Sequence, residues 1–169
     1  MGYVKKYDNF PVWVVILTNL SSLSIYGFGF FILYRLGLIF SLLYLVYVCI
    51  LEFRLIKHHC VDCYYWGKTC GFGKGRISSL LFKQGDSLRF CSKPISWKNM
   101  IPDLMVTLIP FFTGIILLIN KFDLLVLAAL ILIFVLSTFV NGLIRGHLTC
   151  KYCYQKELGC PADKFFSKE

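Results

Sequence analysis

The sequence predicts an all-α integral membrane protein. Four transmembrane helices form two tandem helical hairpins, a parallel internal repeat, and each hairpin is followed by a cytoplasmic Cys-rich knuckle. Three observations predict this. Four apolar tracts each reach the roughly 20 residues that a helix needs to cross a bilayer. The composition is 57% hydrophobic and only 16% charged, which does not suit a soluble domain of 169 residues. Finally, Cys60-Val-Asp-Cys63-Tyr-Tyr-Trp-Gly-Lys-Thr-Cys70 returns 90 residues later as Cys150-Lys-Tyr-Cys153-Tyr-Gln-Lys-Glu-Leu-Gly-Cys160, both reading C-x2-C-x6-C.

The first repeat occupies residues 1–70. Its polar start carries Lys5 and Lys6, and Pro11 opens an apolar run over residues 11–34. This run is longer than the apolar core of about 7–15 residues in a signal peptide, and a second span follows at once. The myristoylation pattern fails because Lys6 stands where Ser or Thr is needed. Arg35-Leu-Gly37 forms a tight external turn, and residues 38–56 form the second span. The second repeat, residues 101–169, places spans at 101–119 and 124–144. Between them lies a short turn, Asn120-Lys121-Phe122-Asp123.

Charge sets the orientation. Of the 18 Lys and Arg, only Arg35 and Lys121 fall in the two short external turns. The positive-inside rule therefore places both termini and the central loop in the cytoplasm of a cell bounded by this membrane. Two spans per unit keep both units in the same orientation, and Asn9 and Asn99 share the 90-residue offset.

Residues 71–100 form a basic cytoplasmic loop. Within it, residues 76–83 read as a short interfacial helix with Leu80, Leu81 and Phe82 toward lipid. Lys74, Arg76, Lys83 and Arg89 are the candidate contacts for anionic headgroups or a protein partner. Tyr64, Tyr65, Trp66 and Trp97 suit headgroup depth. Nucleic acid is not an expected partner, since no reader motif accompanies the basic residues. The glycines of Gly71-Phe-Gly73-Lys-Gly75 read as permissive positions that let the chain turn beneath the first knuckle; an anion nest is the other use of such a run.

Cytoplasmic thiols stay reduced, so the cysteines point to metal rather than to disulfides. A C-x2-C turn brings two thiolates to one ion, half of a tetrahedral site. The metal candidates are Cys60, Cys63, Cys70 and Cys91 in the first half, with His58 and His59 as possible additional ligands. In the second half they are His147, Cys150, Cys153 and Cys160. These make two four-coordinate sites, or the two C-x2-C turns close on one ion. Zinc is the preferred metal. An iron–sulfur cluster is the alternative, and Cys160-Pro161 matches the Cys-Pro that closes many cluster motifs. Cys49 reads as an ordinary buried small residue of the second span. Asn19, Asn141, Ser137 and Thr138 read as polar contacts between helices.

His58-His59-Cys60 resembles part of the Asp-His-His-Cys motif of the membrane palmitoyltransferases, whose Cys carries the acyl group. Lys57 replaces the Asp and the upstream Cys pairs are absent, so the resemblance does not carry the activity. Four spans with a C-x2-C are also similar to the quinone-reducing thiol oxidoreductases, but those thiols face the oxidising side. No nucleophile–base–orienter set is visible, and transport lacks ionisable groups at the bilayer midplane. The expectation is a zinc-binding scaffold or adaptor at the inner membrane face. A membrane-bound iron–sulfur or thiol redox protein is the alternative, and a thiol-activated enzyme is a third possibility, in which Cys60 or Cys150 would react fastest.

Overall fold

The computed structural model describes residues 6–92 and 97–160, without the side chains of residues 88 and 97–99. Lys5, the side chains of Trp97 and Asn99, and Pro161 therefore lie outside the described residues.

The described chain is helical. α1 spans Val12–Leu36 and α2 spans Leu38–Leu55, continuing as a π-helical turn Ile56–Cys60. α3 (Lys74–Leu81) and α4 (Ser87–Ser92) are short. α5 spans Trp97–Asn120 and α6 spans Leu124–Val135. The chain then stays helical through π turns Leu136–Val140 and Ile144–Thr149, with α7 (Asn141–Leu143) between them, to the 3₁₀ turns Cys150–Tyr152 and Tyr154–Lys156. Four helical stretches are long and apolar enough to cross a membrane: Val12–Leu36, Leu38–Cys60, Met100–Asn120 and Leu124–Tyr152. The second and fourth run past the expected ends at 56 and 144. The polar residues Lys57, His58, His59, Arg145 and His147 end the apolar run but do not break the backbone.

The chain divides into two compact units, each drawing on both halves of the sequence. One is Leu20–Glu52 with Trp97–Gly142, the apolar helical unit. In it α1 packs on two sides: Leu33 joins Tyr44, Val48, Leu51 and Val106, whereas Ile32 joins Ala129, Leu130 and Ile133. Adjacent residues of a helix diverge by about 100°, so one turn can face two partners. Large apolar side chains such as Ile39, Leu43, Ile119 and Leu125 remain exposed. Such a surface suits an apolar solvent, where only helices or closed barrels satisfy their backbone.

Two prolines lie inside α5, Pro102 and Pro110. Pro110 has no N–H, so the Val106 carbonyl loses its helical donor. Tyr44 Oη donates to that carbonyl at 3.0 Å, and Tyr47 Oη donates to the Pro102 carbonyl at 2.8 Å. Asp123 caps α6 by accepting the Leu125 N–H at 2.9 Å and pairs with Arg35. Ser137 and Thr138 donate to the Phe134 carbonyl of their own helix rather than across helices. Cys49, expected to be buried, is exposed on α2.

The other unit is Met1–Asn19, Phe53–Ser96 and Leu143–Glu169, and it contains both cysteine knuckles. Asn19 belongs to it and donates to the Phe72 carbonyl at 3.2 Å, holding the glycine-rich loop instead of another helix.

Candidate functional site

Both C-x2-C turns are built alike. Each leaves a π-helical turn and closes with the second Cys N–H donating to the first Cys carbonyl, Cys63 to Cys60 at 3.4 Å and Cys153 to Cys150 at 3.3 Å. The next turn closes on the second Cys carbonyl, from Trp66 N–H at 3.0 Å and Lys156 N–H at 3.3 Å. Backbone N–H groups also reach the sulfurs: Tyr65 N–H donates to Cys63 Sγ, and Gln155 and Lys156 N–H donate to Cys153 Sγ. Such donors favour the thiolate form, which is the metal-binding form.

The knuckles dock on each other reciprocally. Tyr64 N–H donates to Gln155 Oε1 at 2.8 Å, and Tyr154 N–H donates to Tyr65 Oη at 3.0 Å. Positions 64 and 154, and 65 and 155, hold matching places in the two C-x2-C-x6-C stretches. The Tyr64 and Tyr154 rings stack with centroids 5.2 Å apart. Tyr65 is 1% exposed; its hydroxyl also donates to the Tyr7 carbonyl at 2.7 Å, so it is satisfied in both directions. Tyr65 thus occupies the core of the unit with Phe10 and Val14.

The N-terminal segment ties both knuckles. Tyr7 N–H donates to the Tyr152 carbonyl at 3.1 Å, Phe10 N–H to the Thr69 carbonyl at 2.8 Å, and Thr69 N–H returns to Asn9 Oδ1 at 2.9 Å. Gly73 takes φ 72° and Gly75 passes directly beneath the knuckle, where a Cβ would collide with the Tyr65 and Lys68 carbonyls. The glycine run therefore serves close approach.

Cys63, Cys70 and Cys153 all pack against this core. Burial pushes the Cys63 thiol up to about 12; the Tyr65 N–H opposes the rise, and neighbouring Cys153, Cys70 and Cys60 add to it. Cys153 is raised by burial first, against the Gln155 N–H, with Cys150 and Cys160 adding to the rise. Cys63 and Cys153 thus lie within electrostatic reach of the other cysteines of their own knuckles, and Cys63 within that of Cys153. Among the described residues, however, no three His, Cys, Asp or Glu side chains are arranged so that they could hold a metal ion.

Cys91, paired in sequence with the first half, lies against the second knuckle. Its Sγ is 3.0 Å from the Leu158 carbonyl and 3.6 Å from Gln155 Nε2. His58 and His59 are exposed, and the His59 ring meets Phe90 edge-on at 6.4 Å. His147 is exposed on the π turn Ile144–Thr149. In α3, Gly75 and Ser78 are buried whereas Ile77, Leu80 and Leu81 are exposed, with Arg76 also exposed and Lys74 half-buried. Lys83 and Arg89 are exposed. Phe82 is half-buried, packs edge-on against Phe53 at 5.6 Å, and its carbonyl accepts Trp66 Nε1–H at 3.2 Å.

Sequence reading missed Gln155 and Tyr65 as the groups that join the knuckles. The 90-residue offset aligns them with each other and could have marked them. Comparison with protein-family models, curated proteins and solved structures returned no match.

Proposed function

We propose that this chain is a four-span membrane protein, built by duplication of a helical hairpin with its knuckle. In this reading its paired cysteine turns form one cytoplasmic metal-binding module, with zinc as the preferred ion. The observation that carries the reading is the matched pair of turns, each directing backbone N–H groups at the sulfur of its second Cys. Hydrogen bonds to metal-bound sulfur orient ligands and tune the site. Metal loading would draw together thiols that now serve as hydrogen-bond donors, releasing their protons.

The role that fits is a scaffold or adaptor at the inner membrane face. The exposed stripe Ile77, Leu80 and Leu81 follows helical spacing, and Arg76 and Lys83 lie beside it in sequence. That combination suits a helix lying in an anionic lipid surface. The packing of Cys63 and Cys153 against one buried core favours one second reading, a redox protein in which clusters or thiols on the two knuckles exchange electrons.

Elemental analysis of anaerobically purified protein, with an absorption spectrum, tests both. Zinc without colour supports the scaffold reading. Iron with matching sulfide and absorption near roughly 400 nm supports the redox one. Folded protein that takes up neither metal removes the metal reading.

A further inference from the structure

Resting on the scaffold reading of the inner membrane face, we propose that α3 and the cleft beside it form a binding site for anionic phospholipid. Arg76 and Lys83 meet the charge of the headgroups, and Ile77, Leu80 and Leu81 lie among the acyl chains. The site does not depend on metal.

The two faces of α3 have different fates. Gly75 and Ser78, three residues apart, are buried, whereas Ile77, Leu80 and Leu81 are exposed on the other face, Leu80 by 84%. The first knuckle uses up the buried face. Gly75 passes against the Tyr65 and Lys68 carbonyls, Gly67 N–H donates to the Gly75 carbonyl at 3.1 Å, and Trp66 Nε1–H donates to the Phe82 carbonyl at 3.2 Å. The apolar stripe is left for a partner outside the chain.

Depth points to the bilayer as that partner. Before α3, a Cβ on Gly73 would come 2.8 Å from Val15 Cγ1, and Asn19 Nδ2 donates to the Phe72 carbonyl at 3.2 Å. After it, the Phe82 ring meets Phe53 at 5.6 Å. Val15 and Asn19 lie roughly 5 and 10 Å along α1 from Val12, and Phe53 lies roughly 10 Å from Cys60, where its own apolar stretch ends. Both ends of α3 are therefore pinned near the ends of two membrane-length helices. An interfacial helix rests at that depth, with its apolar face about 5–10 Å into the boundary.

Charge selects the lipid. Residues 63–85 include Lys68, Lys74, Arg76 and Lys83 but no Asp or Glu. Lys68 pairs with Asp8, whereas Arg76 and Lys83 are exposed and make no ion pair among the described residues. A cleft of about 400 Å³ has Trp66, Leu80, Leu81, Phe82 and Lys83 among its walls. Apolar walls with a cation suit an acyl chain that carries an anionic headgroup.

The test places the full chain in nanodiscs of phosphatidylcholine with a minor share of phosphatidylglycerol. Trp66 is made the sole tryptophan by replacing the other two with Phe, and bromines on the chains of one lipid or the other quench it. Brominated phosphatidylglycerol should quench more strongly than the same share of brominated phosphatidylcholine. Arg76→Gln and Lys83→Gln should each lower that preference about fivefold. Leu80→Ser with Leu81→Ser should weaken quenching by both lipids. All four side chains are exposed, so these replacements leave the packing alone. Equal quenching by the two lipids, or unchanged behaviour in the variants, overturns the proposal. Loss of the preference on adding inorganic phosphate at constant ionic strength overturns it in favour of a free anion. An inserted chain quenched by neither lipid overturns it in favour of a protein partner on the stripe. A chain that does not enter the disc is a different failure, that of the membrane reading itself.

Discussion

The Tyr44 hydroxyl donates to the Val106 carbonyl, the group that Pro110 leaves without a helical donor four residues on. In a bilayer this carbonyl has no water to turn to, so the side chain of one helix repairs the backbone of another. Tyr44→Phe should therefore destabilise the apolar helical unit by about 0.6–2 kcal/mol, the range of interhelical bonds in lipid. Pro110→Ala restores the missing N–H. In that background Tyr44→Phe should cost clearly less, and the double-mutant cycle, measured by denaturant unfolding in micelles, isolates the repair from the packing change. Equal costs in both backgrounds would mean that Tyr44 acts by packing alone.

Tyr65 plays the corresponding part between the knuckles, accepting from Tyr154 N–H and donating to the Tyr7 carbonyl. Tyr65→Phe keeps the ring in the core but leaves both backbone groups without this partner. The expected loss is about 1–3 kcal/mol, the desolvation penalty of buried unpaired groups. Hydrogen exchange should locate it: the Tyr154 amide should lose protection while amides of the apolar helical unit keep theirs. Unchanged exchange at Tyr154 would show that another acceptor replaces the hydroxyl.

The four apolar stretches were legible because bilayer thickness leaves their length and apolarity few alternatives. Their ends were not, since hydropathy reports side chains whereas a helix ends where backbone bonds end. The π turn through Lys57, His58 and His59 is the result. Tyr65 and Trp66 carry the same aromatic signal, and what separates them is tertiary: Tyr65 meets Tyr7 and Tyr154, which are distant in sequence. The cysteine spacing announced two matching turns, but Cys91 belongs to neither motif. Its position beside Leu158 and Gln155 follows from how α4 is placed, which no spacing encodes.

Gly75 passes under the first knuckle so closely that a Cβ would meet the Tyr65 and Lys68 carbonyls, and Gly67 N–H bonds the Gly75 carbonyl at 3.1 Å. Backbone cannot yield as a flexible side chain does. Gly75→Ala should cost at least about 1–3 kcal/mol, the overpacking range. It should lower zinc uptake through the displaced Cys60–Cys70 turn, as titration with a chromophoric zinc indicator would show. Gly142, with open space around its Cα, is the control: Gly142→Ala should leave zinc uptake unchanged.

Thiol reactivity should rank the cysteines in metal-free protein. Cys63 is buried and pushed up to about 12, and Cys153 is raised for the same first reason, whereas Cys150 is exposed. Only the thiolate attacks an alkylating reagent, so a raised pKa means a protonated, slow thiol at neutral pH. Against the usual value of about 8.5, the thiolate fraction of Cys63 near pH 8 should fall by roughly a thousandfold, before access is counted. Pulsed iodoacetamide labelling read by mass spectrometry should therefore modify Cys150 first and Cys63 and Cys153 last. The Cys63 rate should still be climbing at pH 10, where an ordinary thiol has levelled off. Zinc should protect Cys150 as well, abolishing the ranking, because a bound thiolate is neither free nor exposed. If Cys63 were labelled as fast as Cys150 without metal, the docked arrangement of the two knuckles would require metal to form.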